Sequence, residues 1–509
     1  MLKITFHHNQ RFETFAEVLR LFFTGVKAPP EPLEIPYSLS FPLLGCTADQ
    51  ELRIEQFVEP LGGSGRYLCR TKYSPDQEIF SEVQESLIRR ELKRQLYLSL
   101  VDLLGESRPW GALTGVRPTM LAAELVARHG EKESENLLLS DYGLCPEKAA
   151  LLIETNRAEQ AILAKLDKSE DMVYIGIPFC NSRCAYCSFI AQDAARYAER
   201  LGDYVQAIIQ DLKYFYARRK ERVSALYFGG GTPSALSTEQ LEVLLTAVFS
   251  ILPLKEGAEV TFEAGRPDSL DPEKLALLKN YPIQRICLNP QTLHNQSLKR
   301  IGRHHTVEEF YQAADYLKAL NFDSVNMDLI CGLPGEGEAE FLHSLRAVMA
   351  LEPENITLHS LALKRAARLR HEVKAVAGTA EYQAQLALIA AEEVEKKKAL
   401  KAQAEQLFRA MEEAHKLLRS QNYAPYYLYR QKNLTAGLEN TGFALPGTES
   451  IYNVGMMSDR ISVIGFGAGA SSKAVFGRRL ERYVNVKDIG LYIERAQLES
   501  EKKLALFKA

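Results

Sequence analysis

The chain has 509 residues, of which 46% are hydrophobic and 25% charged, and its formal net charge is -3. These values are typical of a globular protein of two or three domains, and they show no basic excess of the kind that nucleic-acid binding requires. No long apolar segment is present and only three of the eight cysteines lie close together, so we expect no signal peptide, no membrane span and no disulfide framework, in a reducing cytoplasm.

Residues 1–165 mix helix and strand patterns. FETFAEVLRLFF predicts an amphipathic helix, RYLCRTKY predicts a strand, and SEVQESLIRRELKRQLYLSLVDLLG predicts a second helix. PWGALTGVRPTMLAAEL predicts a loop that enters a helix, and its tryptophan, Trp110, is interpreted as a packing anchor. We therefore predict an N-terminal α+β accessory domain.

Six short apolar runs follow within residues 166–375, separated by helical sequence: MVYIGI, SALYFGG, AEVTFEA, RICLNPQ, SVNMDLI and NITLHSL. Repeated β–α units of this kind form a parallel sheet. Six strands are too few for a closed eight-stranded barrel, so we predict a partial (β/α)6 barrel, open at the carboxyl ends of its strands.

The unusual residues of this region all fall at the carboxyl ends of the predicted strands. YIGIPFCNSRCAYCSF follows the first strand and GGGTPS follows the second. Glu263 ends the third strand, Gln291 follows the fourth, and Asp328 lies near the end of the fifth. Because these strand ends meet at one rim, we predict a single site there.

Residues 376–509 form a mostly helical C-terminal region in this interpretation. A long stretch from AEYQAQLALIAAEEVEKKK to AHKLLRSQNY has the composition of a helix, and its charge runs are interpreted as a solvated face. A region rich in Tyr, Asn and Gly follows, and VKDIGLYIERAQ predicts a terminal helix.

The three clustered cysteines have the spacing C-x3-C-x2-C. A structural zinc site usually takes four ligands from two separated pairs, which is not the pattern here. A thioredoxin-like dithiol needs only two cysteines and would leave Cys180 without a role. Three thiolates on a cubane iron–sulfur cluster leave one iron open to a small molecule, which in radical S-adenosylmethionine (SAM) enzymes is SAM. A structural or zinc-binding trio is the alternative that the spacing leaves open.

Other residues near the predicted rim have chemistry that suits SAM. The glycines at 229–231 allow close backbone approach, so that carbonyl groups could accept from the SAM ammonium, and Thr232 fixes the turn. Glu263 and Asp328 would be carboxylates in apolar surroundings that need partners, and Arg303 could pair with a carboxylate. The alternative for the glycines is an ordinary tight turn, and the alternative for Glu263 and Asp328 is a helix cap or a buried salt bridge. The alternative for Arg303 is a surface arginine.

Basic residues follow the sixth strand and the aromatic run YYLY: Lys364, Arg365, Arg368, Arg370, Arg430 and Lys432. Cations above an aromatic floor suit a flat molecule with several carboxylates, and a solvated face is the alternative. His304 and His305 are interpreted as surface residues, and Cys287 and Cys331 as buried structural thiols.

Taken in order, YIGIPFCNSRCAYCSF, YFGGGTPS, RICLNPQTL, NMDLICGLPGE and YYLYRQKN resemble the oxygen-independent coproporphyrinogen III dehydrogenases of the HemN-like radical SAM family, most closely the HemZ type. The resemblance implies a radical SAM barrel, a HemN-like C-terminal region, SAM as cofactor, and a [4Fe–4S] cluster on Cys180, Cys184 and Cys187. It implies no catalytic residue beyond the cluster and SAM sites. The SAM-binding residues that it implies are Tyr174, Gly230, Gly231, Thr232, Glu263, Gln291, Arg303, Asp328 and Ala362.

The resemblance also implies a reaction, the oxidative decarboxylation of two propionate side chains of coproporphyrinogen III to vinyl groups, which gives protoporphyrinogen IX in haem biosynthesis. A 5′-deoxyadenosyl radical from SAM would take a hydrogen atom from the propionate β-carbon, and loss of CO2 and one electron would leave the vinyl group. The expected partners are the porphyrinogen, an electron donor and an electron acceptor, the last two not identified by the sequence, with no nucleic acid.

One position departs from the family pattern: the family often has His two residues after the motif tyrosine, and this chain has Gly176. The family also contains haem chaperones that share the cluster and SAM motifs. Such a protein needs an axial haem ligand, and His294, His304, His305 and His359 are available. A radical SAM enzyme on another substrate is a third hypothesis, and the whole-chain likeness favours the dehydrogenase.

Overall fold

The computed structural model of the protein describes residues 1–23, 26, 36–41, 52–63, 65–187, 191–361, 380–431, 437–477 and 479–508, without the side chains of 380–394 and 396–397. The chain divides into two compact units. The first comprises Met1–Ile153 and Leu369–Lys401, and the second comprises Glu154–Arg368 and Ala402–Ala509. The domain boundaries after residues 165 and 375 stay predictions.

The first part of the chain contains the elements β1 (Leu2–His7), α1 (Glu13–Phe22), β2 (Tyr37–Phe41), β3 (Leu52–Leu61), β4 (Arg66–Tyr73), β5 (Gln77–Gln84), α2 (Ile88–Leu104), α3 (Pro118–His129), α4 (Glu131–Ser140) and α5 (Pro146–Leu163). The strands form a sheet of order β2-β1-β3-β4-β5, in which β1 and β3 are parallel and the other pairs antiparallel. The first unit is therefore α+β, as predicted.

The core of the first unit follows from the amphipathic pattern of α1. Phe15, Leu19 and Phe22 recur at helical spacing and are buried with strand residues such as Ile4. Trp110 is also buried, at 2% exposure, which agrees with a packing role.

The second part of the chain contains β6 (Asp171–Ile177), β7 (Phe179–Cys180), β8 (Gln192–Asp193), α6 (Leu201–Tyr216), β9 (Val223–Gly230), α7 (Thr238–Ile251), β10 (Leu254–Gly265), α8 (Pro272–Lys279), β11 (Arg285–Leu288), α9 (Asn295–Arg300), α10 (Val307–Leu320), β12 (Ser324–Cys331), α11 (Glu338–Met349), β13 (Asn355–Ser360), α12 (Ala380–Ser420), β14 (Ala424–Arg430), β15 (Glu439–Ala444), α13 (Ile451–Met457), β16 (Val463–Phe466), β17 (Ser471–Phe476), β18 (Arg479–Val484) and α14 (Ile489–Leu506).

The six predicted strands are neighbours in one sheet, in the chain order β6-β9-β10-β11-β12-β13, and every neighbouring pair is parallel. Their apolar side chains and those of α6, α7, α10 and α11 form one large core. Strands buried on both faces read as nearly continuous apolar runs, which is why the sequence located them. The partial barrel of β–α units is confirmed.

The C-terminal region supplies α12, α13 and α14, and it also adds strands that the sequence did not predict. At one end of the sheet, β15 pairs with β13 and β14 with β15, both antiparallel. At the other end, β16 lies parallel to β6 and is followed by the antiparallel β17 and β18. The sheet therefore has eleven strands among the described residues.

Two helices of the second unit begin with reciprocal caps. Ser237 and Gln240 form a capping box at α7, and Thr306 and Glu309 form another at α10. Such caps define where each helix leaves the rim of the sheet. None of the described helices combines the length and apolar character that crossing a membrane would require.

Candidate functional site

The structure brings the predicted site residues together at the carboxyl ends of the parallel strands. The cysteine loop follows β6, Gly230 ends β9, and Glu263 lies near the end of β10. Gln291 follows β11 and joins β12 through a parallel bridge to Leu329. Ala362 lies outside the described residues, as do Lys364, Arg365, Arg368, Arg370 and Lys432.

The cysteine loop is tied to the turn after α9. Ala185 N–H donates to the carbonyl of Ile301 over 2.9 Å, and Ser182 Oγ donates to the carbonyl of Gly302 over 3.0 Å. Thr232 Oγ1 lies 3.5 Å from Cys180 Sγ. The cysteines at 180, 184 and 187 are of intermediate exposure and form no disulfide bond with one another, so these contacts hold three cysteines on one short loop.

The glycines at the end of β9 and directly after it are required by the cysteine loop. A Cβ on Gly231 would lie 2.5 Å from the carbonyl oxygen of Phe179 and 2.8 Å from Cys180 Sγ. Gly230 has φ +123°, and a Cβ there would lie 2.8 Å from the carbonyl oxygen of Ile177. Packing against the loop therefore explains these glycines in addition to the expected close approach to a ligand.

Two buried arginines flank Cys184. Arg266 lies 4.0 Å from Cys184 Sγ, donates to the carbonyl of Ser182 over 2.8 Å, and forms a two-point ion pair with Asp268. Arg303 is 7% exposed and interacts with Tyr186 and Cys184. The surface alternative for Arg303 is wrong. Arg266 was missed because a single arginine after a strand has no distinctive signal in the sequence.

Three side-chain atoms between residues 289 and 303 have no hydrogen-bond partner among the described residues. They are Asn289 Oδ1, Gln291 Oε1 and Arg303 Nε, all buried. Gln291 also has a left-handed backbone, with φ 69°, and is held there by hydrogen bonds of its N–H and C=O groups to β12. Buried polar groups normally have partners, so these atoms fit a polar ligand.

Carboxylates and aromatic rings line one face of the sheet near this point. Tyr174 stacks on Tyr227 with centroids 6.2 Å apart, and Tyr227 stacks on Tyr452 at 4.5 Å. Tyr227 Oη donates to Glu263 Oε1 over 2.6 Å. Burial raises the pKa of Glu263 to about 7, and the nearby charge of Asp328 adds to this effect.

Asp328 is the second carboxylate of this face. Asn326 Nδ2 donates to it over 2.8 Å, and His359 Nε2 lies 3.5 Å away. Burial opposes ionisation, but hydrogen bonding and the charge of His359 lower the pKa of Asp328 below its ordinary value. His359 was considered only as a haem ligand, and its position beside Asp328 was not predicted.

The other histidines and Arg430 are placed as follows. His304 is exposed, as expected, but His305 is 3% exposed, so its assignment to the surface is wrong. His294 Nε2 lies 3.0 Å from the carbonyl oxygen of Glu340. Arg430 is buried and donates to the carbonyl of Gly437 over 2.7 Å. Cys287 and Cys331 are buried, as predicted.

Gly176 lies in a crowded position. A Cβ there would be 3.1 Å from the ring of Tyr174 and 3.4 Å from the carbonyl oxygen of Phe466, at the end of β16. Its own carbonyl accepts from Tyr204 Oη over 2.8 Å. A side chain at this position therefore requires the Tyr174 ring or the strand β16 to shift by a few tenths of an ångström.

The residues present fit the two cofactors in their chemistry. Three cysteines within eight residues suit an iron–sulfur cluster with an open iron. The orphan atoms of Gln291 and Arg303 are buried, and Arg303 interacts with Cys184, so these atoms suit a small molecule that donates and accepts hydrogen bonds.

Comparisons with known proteins agree with this chemistry. The model of the Radical SAM superfamily, whose members use a [4Fe–4S] cluster and SAM, matches residues 174–348. The chain is 36% identical, over 491 residues, to the oxygen-independent coproporphyrinogen-III oxidase-like protein HemZ of Bacillus subtilis (strain 168), covering 93% of this chain and 90% of that protein.

Two other similarities cover less of the chain. The heme chaperone HemW of Escherichia coli (strain K12) is 34% identical over 194 residues, which are 38% of this chain and 50% of that protein. The structure of the E. coli coproporphyrinogen III oxidase HemN, a radical SAM enzyme, aligns with a TM-score of 0.49 at 20% identity, covering 67% of this chain and 72% of that one. Because the likeness to HemZ extends through both units at 36% identity, the chain belongs to the HemZ type of the coproporphyrinogen-III oxidase-like radical SAM enzyme family.

Proposed function

We propose that the protein is a coproporphyrinogen III dehydrogenase that converts two propionate side chains to vinyl groups and yields protoporphyrinogen IX. The observation that carries this proposal is the extent of the likeness to HemZ, 93% of the chain, against 38% for the haem chaperone. The flanking regions outside the radical SAM part are therefore also of the HemZ type.

In this proposal Cys180, Cys184 and Cys187 hold the cluster. When bound, the cluster and SAM would supply the radical chemistry that removes one hydrogen atom from the propionate β-carbon. The carboxylate then leaves as CO2, one electron passes to an acceptor, and a carbon–carbon double bond remains. The protein's task is to position the propionate and exclude water.

The residues around the cysteine loop have supporting roles in the proposal. Thr232 lies 3.5 Å from Cys180 Sγ, and Arg266 lies 4.0 Å from Cys184 Sγ. A hydroxyl donor and a cation at these positions suit sulfur ligands that carry negative charge when they bind iron. The link between Arg266 and Asp268 fixes the guanidinium while leaving part of it directed at the loop.

SAM binding is assigned to Tyr174, Gly230, Gly231, Thr232, Glu263, Gln291, Arg303, Asp328 and Ala362. The buried atoms Gln291 Oε1 and Arg303 Nε support this assignment, since a ligand would satisfy them. Asp328, held in its ionised form, suits hydroxyl or ammonium donors. The aromatic stack of Tyr174, Tyr227 and Tyr452 provides a flat wall on the same face.

The second candidate function is haem binding and delivery, which the 34% identity to HemW favours. The environments of His359 and His294 support the enzyme instead. Both ring nitrogens of His359 face acceptor oxygens, on Asp328 and Asn440, and His294 contacts the carbonyl of Glu340. A nitrogen that donates to oxygen is not available as an axial ligand. Exposed His304 remains a candidate haem ligand, and so does buried His305, whose ring nitrogens have no hydrogen-bond partner among the described residues.

The test is an anaerobic assay with reconstituted protein, SAM, a reductant, an electron acceptor and coproporphyrinogen III, with Cys184→Ala as the control. The proposal expects protoporphyrinogen and 5′-deoxyadenosine together, both lost in the variant. Cleavage of SAM without a decarboxylated porphyrin would overturn it. A strong stoichiometric Soret band on adding haem would then favour the chaperone. The cytoplasmic location and the electron partners stay predictions.

A further inference from the structure

The first unit contains a cavity that the proposed reaction does not use. It has a volume of about 630 Å³ and lies between α1, the first turns of α2, the loop at 112–117 and the start of α3. A volume of this size is within the usual range of small-molecule sites, roughly 300–1,000 Å³. All of its lining residues belong to the first unit. We refer to it as the α2–α3 cavity.

Basic side chains dominate the charge of this cavity. Five basic residues line it, against three acidic ones, Glu13, Glu17 and Glu124. Four of the basic residues, Arg89, Arg90, Lys93 and Arg94, recur on one face of α2 at the spacing of helical neighbours, and the fifth is Arg117.

Ion pairs hold several of these cations in place. Arg90 forms two bonds to Glu124, of 2.9 and 3.3 Å, and Lys93 lies 2.9 Å from Glu17. Arg94 is held by Glu91, outside the lining, over 2.8 Å. A guanidinium has five N–H donors and one carboxylate uses two. The pair with Glu124 therefore fixes the Arg90 guanidinium while leaving donors for a further oxyanion. Arg94, by contrast, also donates to the carbonyl of Asp141 and to Ser81 Oγ.

The start of α3 adds positive potential to the lining. Pro118 occupies the first helical position, Arg117 precedes it without a capping side chain, and the first turn contains no acidic residue. The positive end of a helix favours anions when no side chain caps it. The stretch ALTGVRPT belongs to the segment that the sequence predicts as a loop entering a helix. It places Arg117 and this helix end at the same cavity.

Apart from Thr14, Thr114 and Tyr142, the rest of the lining is apolar. It includes Leu113, Leu121 and Met120, and Met120 is 47% exposed. An exposed methionine at the edge of a cavity provides a polarisable, adaptable surface for an apolar or aromatic group. The lining therefore combines an apolar wall with an excess of guanidinium donors.

We propose that the α2–α3 cavity binds a small anion that joins carboxylate or phosphate groups to an apolar or aromatic body. Arginine recognises carboxylate and phosphate oxygens in the same two-point manner. A porphyrin with carboxylate side chains and a nucleotide with phosphates share this chemistry. The lining includes none of the residues assigned to the cluster and SAM, and the proposal does not depend on the proposed decarboxylation.

The experiment is calorimetric titration of the full-length protein with coproporphyrin III and, separately, with ADP. The matched variants are R89A/R117A, which changes two lining cations, and R66A, which changes an exposed arginine on β4 outside the cavity. The proposal expects one of the two probes to bind, with an affinity at least about tenfold weaker in R89A/R117A and unchanged in R66A. That difference is about 1.4 kcal/mol.

The identity of the bound probe distinguishes a carboxylate from a phosphate ligand. If neither probe binds at millimolar concentration, or if R89A/R117A binds as tightly as the parent, the proposal is overturned. SAM cleavage by reconstituted R89A/R117A is measured in parallel. That activity uses residues of the second unit, which are not part of the cavity lining. SAM cleavage that is retained in R89A/R117A, together with weakened probe binding, assigns the loss of binding to the cavity. The result for the cavity is therefore independent of the result of the dehydrogenase assay.

Discussion

His359 Nε2 lies 3.5 Å from Asp328 Oδ2, on the neighbouring parallel strands β13 and β12. The other ring nitrogen, Nδ1, lies 3.3 Å from Asn440 Oδ1, which also accepts from the N–H of Ser360. An imidazole between two acceptor oxygens is most stable with both nitrogens protonated. Burial opposes this charge, but Asp328 and Asn440 raise the pKa of His359 above its ordinary value.

The first prediction concerns the pH dependence of this pair. The ion pair of His359 and Asp328 stabilises the folded state fully between the ordinary pKa values of Asp and His. This stabilisation is lost as the pH rises through the raised pKa of His359. It is also lost as the pH falls through the lowered pKa of Asp328. We expect His359→Gln to reduce the free energy of unfolding by about 1–3 kcal/mol near pH 6 and by less near pH 9. Urea unfolding of the variant and of the exposed control His304→Gln measures this, and equal losses at both pH values would contradict it.

The second prediction concerns Glu263, whose pKa burial raises from 4.5 to about 7. The folded state keeps this proton to higher pH than the unfolded state, so the free energy of unfolding falls as the pH rises between these values, by up to about 3 kcal/mol. Glu263→Gln should remove that part of the pH dependence while preserving a partner for Tyr227. Urea unfolding at several pH values, with exposed Glu273→Gln as control, tests it. A pH profile identical to the parent's would count against the burial argument.

The third prediction concerns Gly231→Ala. Its Cβ would lie 2.5 Å from the carbonyl oxygen of Phe179, so the cysteine loop has to move. We expect a several-fold lower iron and sulfide content after reconstitution, measured by chemical analysis and by the visible absorption of the cluster. Gly202→Ala in α6 is the matched control because a Cβ there meets nothing within 4 Å. Full iron content in Gly231→Ala would show that the loop accommodates the methyl group.

The fourth prediction concerns Arg266, 4.0 Å from Cys184 Sγ. Reduction makes the cluster more negative, so a nearby cation favours the reduced form. We expect Arg266→Met to lower the reduction potential of the reconstituted cluster and Arg266→Lys to preserve most of it. A redox titration followed by electron paramagnetic resonance measures both. An unchanged potential in Arg266→Met would restrict Arg266 to tethering Ser182 and Asp268.

Several features of the site could be read from short stretches of sequence. The six parallel strands are continuous apolar runs, and the spacing of Cys180, Cys184 and Cys187 is a local property of one loop. Gly230 and Gly231 were recognised for the same reason, since the lack of a side chain is visible in the sequence. Local periodicity and residue type were sufficient for these predictions because each depends on neighbours within a few residues.

The tertiary structure decided which distant residues meet. Arg266 reaches a loop 82 residues earlier in the chain, and Tyr452 stacks on Tyr227. The burial of His305 and the addition of C-terminal strands at both ends of the sheet likewise have no local signature. Strand order and side-chain packing bring such residues together, and both depend on the free energy of the whole fold. The sequence therefore determined the cofactor chemistry. Only the folded chain determined which residues surround the site.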